Sequence, residues 1–233
     1  MATKGIDEAK KKALARELAA NVRGVAKCWP IAGTAAMKAV KQRMPLGASN
    51  RFMLDDAPCT GSDPLGLGAT LYELKRHRAA GVATRAVDDA IDRCAFDGAA
   101  VNGARHTDPI RIELVEATGY FAMMYGGGNC QYQAGATFMA LREAGVGPID
   151  LIYIFRRSGY FGTSVGMGDA EHATVVIGIQ EGFPRPQEPD FTRWQPTAVV
   201  ADTWETDRSE SVPALAKRYP LADYRFISYA RAA

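Results

Sequence analysis

The chain has 233 residues, 47% of them hydrophobic and 23% charged, with a net charge of +2; this is a globular balance with apolar material for one sizeable core. No apolar run is long enough to span a bilayer, and Arg16 and Glu17 interrupt the N-terminal stretch, so neither an integral membrane segment nor a signal-peptide core is present and a soluble protein is expected. Four cysteines (Cys28, Cys59, Cys94, Cys130) stand far apart without a CxxC pair, beside only three histidines, which excludes a disulfide framework and a zinc cage; no metal and no cofactor is expected.

Charge is uneven along the chain. Residues 1 to 50 carry +7 and the remainder −5, so the N-terminus reads as a basic helical arm. Leu14, Leu18, Val22 and Val25 recur at helical spacing and predict an amphipathic helix over residues 7–23. A second, shorter helix is expected over 34–43. The glycine- and proline-rich stretch 44–68 has no period and reads as a flexible connector and domain boundary. The expected organisation is residues 1–68 as arm and connector and 69–233 as the main domain. Helix returns over 69–95, with Gly81 as a candidate interruption. Asp108-Pro109 supplies an N-cap and a first-position proline for a helix through Phe121, although alternation at Ile110, Ile112 and Leu114 also allows a strand. Gly126-Gly127-Gly128 then leads into Asn129-Cys130 and a helix over 131–144, ended by Gly145. Beyond Pro148 the pattern changes to strands, at 149–155, 172–179, 197–202 and 224–229. A helical front half followed by an antiparallel sheet is an α+β plan.

Cys130 stands where those halves meet. A thiol attacks a carbonyl only as the thiolate, and a helix N-terminus favours that anion through its unpaired N–H groups and dipole. The same N–H groups can receive an oxyanion, and the glycines ahead of them let the backbone turn and a substrate approach. A base is needed as well, with its second ring nitrogen held by an orienting group. His172 opens an apolar strand and Asp202 closes the next one, and neighbouring antiparallel strands can bring such ends together. Cys130 as nucleophile, His172 as general base and Asp202 as orienter form the candidate constellation. The plainer readings are a buried small hydrophobe for Cys130, a strand cap for His172 and a turn residue for Asp202. Cys28, Cys59 and Cys94 read as structural.

The strings Gly128-Asn129-Cys130, Glu171-His172-Ala173-Thr174-Val175 and Asp202-Thr203-Trp204 together resemble the papain-like and transglutaminase-like cysteine enzyme superfamily, over about residues 120–204. The resemblance implies a nucleophile helix packed on an antiparallel sheet and a Cys-His-Asp triad. Papain-like proteases place an oxyanion-hole glutamine shortly before the nucleophile. None stands between Tyr120 and Asn129, so the backbone N–H of Cys130 is expected to serve, assisted by Asn129 or Tyr125. Gly128 lines the substrate approach and Trp204 either shields the His-Asp pair or is a core tryptophan.

The implied function is a cysteine hydrolase or acyltransferase acting on amide bonds of a protein substrate, as a glutamine deamidase or protease resembling bacterial effectors. Such a protein is cytoplasmic, or secreted into a host cell without a cleaved signal. The basic arm then suits a secretion chaperone or another acidic partner. A cross-linking transglutaminase and a non-catalytic interaction module on the same fold are the alternatives. No Walker loop or dinucleotide fingerprint occurs: Gly162 to Gly168 lacks a lysine and a following helix, and the acid pairs Asp55-Asp56 and Asp88-Asp89 have no partner base. The basic arm lacks interleaved aromatics, so nucleic acid is not an expected partner.

Overall fold

The structure is a computed structural model that describes residues 5–48, 67–156, 171–180, 194 and 196–233. Most of the 44–68 connector lies outside the described residues, as do Asp55-Asp56, Cys59 and the glycine-containing 162–168.

Helix α1 (Glu8–Arg23) starts at Asp7, whose carboxylate accepts from the Lys10 N–H at 3.1 Å. Helix α2 (Trp29–Arg43) begins five residues earlier than periodicity suggests, because Pro30 occupies its first turn. Two residues of the expected connector form a short strand, β1 (Gly47–Ala48). Helix α3 (Leu67–Arg93) runs unbroken through Gly81. Helix α4 (Gly98–Gly103), capped by Asp97, is too short to leave a periodic trace in sequence. Helix α5 (Pro109–Tyr125) takes the helical alternative for the ambiguous isoleucines and ends in Gly126 at φ 75°, a left-handed position that glycine adopts without penalty. Strand β2 (Gly127–Gly128) pairs in parallel with β1, and helix α6 (Cys130–Glu143) follows at once, capped by Asn129.

Strands β3 (Ile149–Arg156), β4 (His172–Ile177), β5 (Val199–Ala201) and β6 (Glu210–Ser211) are followed by helix α7 (Val212–Arg218) and strand β7 (Tyr224–Ala232). They form one antiparallel sheet in the order β6-β5-β4-β3-β7. The chain is therefore α+β, with seven helices among the described residues. Strand β4 stops two residues short of expectation, since Gly178 adopts φ 91° and its missing Cβ is the room that the Trp29 ring occupies.

Both faces of the sheet are buried, so β3 and β4 read as nearly continuous apolar runs. Leu151, Tyr153, Phe155, Val175 and Ile177 point to the larger cluster, under α6. Ile152, Ile154, Val176, Val200 and Phe226 point to a second cluster closed by Val212 and Leu215 of α7. Leu18 and Val22 of α1 and Met37 and Val40 of α2 belong to the larger cluster. The lysines of the basic segment are thus carried on helices whose apolar faces are built into the same core as α6. Helices α5 and α6 approach most closely at Gly119, where a Cβ would lie 2.5 Å from backbone atoms of Gly135 and Ala136. Small residues at that crossing fix the height of the helix that carries Cys130.

Candidate active site

Cys130 occupies the first position of α6 and is 7% exposed. Its placement starts with the two short strands: β1 and β2 pair, and the Leu46 N–H donates to the Gly126 carbonyl at 3.0 Å. Asn129 then turns the chain into the helix, its side-chain oxygen accepting from the Tyr132 N–H at 3.1 Å. Gly128 is needed in that turn for a specific reason: a Cβ there would lie 2.9 Å from the Tyr132 side chain. The Tyr132 hydroxyl donates to Asp88 of α3, so the ring is held at both ends.

His172 and Asp202 stand on adjacent strands, and their side chains meet. The His172 Nε2 hydrogen-bonds to Asp202 Oδ2 at 2.8 Å, with both residues buried. Nδ1 is buried too and lacks an aligned hydrogen bond, which leaves that nitrogen open for Cys130. Burial opposes charge on the imidazole, yet the hydrogen bond to Asp202 and then the contact with Cys130 outweigh it, and the pKa of His172 is raised to about 10. Asp202 shows the complementary balance. Burial disfavours its charge, but His172, the Glu205 N–H and Arg218 hold the carboxyl below its ordinary range. Asp202 Oδ1 accepts from the Trp204 and Glu205 N–H groups at 3.3 and 3.1 Å, which saturates the second oxygen.

Two rings contact the imidazole. Trp204 sits on one contact, with centroids 5.1 Å apart and planes tilted by 43°. Tyr219 stacks on it at 5.4 Å, only 7° from parallel, and donates its hydroxyl to Glu205 at 2.8 Å. Arg218, at the end of α7, reaches Asp202 Oδ2 at 3.2 Å, pairs with Glu205 and grips both oxygens of Glu210. His172, Asp202 and Glu205 bring ligand-type atoms within 4.8 Å of one another, a grouping compatible in type with a cation. Its two nearest members are bonded to each other, and the positive charge beside the carboxylates comes from the Arg218 guanidinium. Tyr153 of β3 is fully buried within electrostatic reach of Cys130, and burial pushes its hydroxyl well above the usual phenol range.

Of the residues singled out in sequence, Cys130, His172 and Asp202 come together, with Trp204 beside them. Asn129 and Gly128 shape the turn into α6. Tyr125 stands 40% exposed at the end of α5. Sequence reasoning missed Tyr153, Glu205, Arg218 and Tyr219. Arg218 and Tyr219 fall between the strands expected at 197–202 and 224–229, and a helix as short as α7 gives no periodic signal to place them.

Comparison of the chain with protein-family models, curated proteins and solved structures finds no match. What the site does must be argued from its own geometry.

Proposed function

We propose that the chain is a thiol enzyme of papain-like or transglutaminase-like type that acts on amide carbonyls of a protein substrate. The observation that carries this reading is one buried imidazole bonded to Asp202 through Nε2 and contacted by Cys130 at the start of a helix. A protonated imidazole and a helix N-terminus beside one sulfur are the features that stabilise a thiolate.

In the proposed reaction the Cys130 sulfur attacks the carbonyl carbon, and the oxyanion forms beside the N–H groups that open α6. His172 gives its proton to the nitrogen as the C–N bond breaks, leaving a thioester and free ammonia or amine. Water, losing a proton to His172, then adds to the thioester, and collapse releases the acid and restores the Cys130 thiolate beside the His172 imidazolium. Asp202 keeps Nε2 occupied throughout, so that Nδ1 carries the moving proton. With the nucleophile 7% and the base 1% exposed, a single glutamine side chain reaches the sulfur more readily than an extended backbone does. That favours deamidation over proteolysis. The same burial supports the second reading, a non-catalytic interaction module in which the buried Cys-His-Asp cluster has only a structural role.

The deciding experiment is intact-mass spectrometry of candidate protein substrates incubated with wild type and Cys130→Ala. A gain of about 1 Da per site means deamidation, fragments mean proteolysis and heavier conjugates mean transamidation. Iodoacetamide labelling separates the module reading: the enzyme reading requires Cys130 to react faster than exposed Cys28 at neutral pH, and sluggish labelling of Cys130 sinks it.

A further inference from the structure

Two consecutive residues, Arg218 and Tyr219, hold the two halves of the His172–Asp202 pair. Arg218 bonds the oxygen of Asp202 that also receives the imidazole, and Tyr219 lies flat on the imidazole itself. Both are tied to Glu205, the residue whose backbone N–H binds the other Asp202 oxygen. Helix α7 anchors this pair of side chains, with Leu215 fully buried in the second cluster.

The charges explain why an arginine stands there. Asp202, Glu205 and Glu210 bring three carboxylates around a single guanidinium. Carboxylates gathered away from water repel one another and take up protons unless a cation lies among them. A guanidinium offers five donors in a planar fork and can serve three carboxylates at once; a lysine ammonium has neither the reach nor the geometry.

We propose that Arg218 is a positioning residue for the thiol chemistry, holding the Asp202 carboxylate in the orientation that receives His172. The proposal rests on the enzyme reading given above. Arg218 touches no reacting atom. It acts through Asp202 on the imidazole, and through the imidazole on the sulfur. Loss of its charge takes away the guanidinium that Asp202, Glu205 and Glu210 share. The added negative charge disfavours the sulfur anion and so moves the acid limb, while a loosened Asp202 leaves the imidazole poorly oriented toward the sulfur and so lowers the plateau rate.

The test is the rate of iodoacetamide alkylation of Cys130, measured peptide by peptide from about pH 4 to pH 10 in wild type, Arg218→Met and Arg218→Lys, with exposed Cys28 as reference in each sample. In Arg218→Met the acid limb of the Cys130 profile moves to higher pH by roughly one unit, and the rate at pH 6 falls about tenfold. In Arg218→Lys the limb stays in place because the charge is kept, while the plateau rate falls several-fold. A merely structural role predicts a lower melting temperature with the wild-type profile retained by the folded protein, and that outcome overturns the proposal. Should Arg218→Met not fold, a superimposable Arg218→Lys profile overturns it equally. A wild-type Cys130 profile no different from that of Cys28 overturns instead the enzyme reading on which the proposal stands.

Discussion

Tyr219 lies flat against His172, ring planes 7° apart and centroids separated by 5.4 Å, while its hydroxyl donates to Glu205. The two contacts can be separated by mutation. Tyr219→Phe keeps the stack and loses one hydrogen bond, which costs about 1 kcal/mol. Tyr219→Ala removes a buried aromatic side chain from the second cluster and costs roughly 3–5 kcal/mol. Urea unfolding of both variants checks the ratio. A Tyr219→Phe loss as large as that of Tyr219→Ala means that the hydroxyl, not the ring, holds the imidazole.

The His172–Asp202 pair makes stability depend on pH with a definite sign. His172 is raised from 6.5 to about 10 in the fold, so its contribution is complete below pH 6.5 and is lost as pH rises through about 10. Asp202 is lowered from 3.8, so its contribution is present above that value and is lost as pH falls through the lowered one. Wild type therefore exceeds His172→Gln in stability most between about pH 4 and 6.5, by on the order of a few kcal/mol, and the gap narrows toward pH 10. Denaturant midpoints of the two proteins across that range measure it. Asp150, which burial pushes up to about 6 despite its ion pair with Arg231, is present in both and cancels in the difference. A gap that widens with pH contradicts the assignment.

The parts of the site that were legible in sequence are those set by strong local signals. Glycines followed by Asn129 mark a helix start, and apolar runs bounded by His172 and Asp202 mark strand ends, so the three groups could be named before their distances were known. The start of α2 and the end of β4 carry no periodic signal, because Pro30 and Gly178 act there through helix-start geometry and a tertiary contact with Trp29. Strand β1 and helix α7 are two and seven residues long, and each is held by long-range partners. Their register comes from the assembled core. Arg218 and Tyr219 were invisible for that reason, although they surround the most legible residues in the chain.

Gly128 tests how tightly the turn into α6 is specified. A methyl group there meets the Tyr132 side chain at 2.9 Å, and the Tyr132 hydroxyl is already engaged by Asp88. Gly128→Ala therefore destabilises by about 1–3 kcal/mol and slows Cys130 alkylation, because the strain falls two residues before the sulfur. Adding Tyr132→Gly removes the whole side chain that the methyl group meets, Cβ included, so the double variant is more stable than the sum of the single losses predicts. Strict additivity in thermal melts means that Tyr132 is not what excludes the side chain.

The helix that carries Cys130 is located chiefly by its contact with α5, and Gly119 is where that contact is tightest. A Cβ at Gly119 lies 2.5 Å from Ala136 N and from the Gly135 carbonyl carbon. Both are backbone atoms, so no rotamer change can absorb the methyl group and the helices must separate. Gly119→Ala is expected at or above the top of the overpacking range, about 3 kcal/mol, which lowers the melting temperature of a chain this size by roughly 6–12 °C. Gly81→Ala is the control of opposite sign: that glycine is inside α3, and its added Cβ meets nothing within 4 Å. Replacing it raises helix propensity and stabilises by up to about 1 kcal/mol. If separation of α5 from α6 also withdraws the sulfur from His172, Gly119→Ala loses selective Cys130 labelling in the protein that remains folded, while Gly81→Ala retains it. Equal melting temperatures for the two variants contradict the close crossing, and unchanged labelling in Gly119→Ala shows that the first turn of α6 is held by the β1–β2 pairing and the Asn129 cap alone.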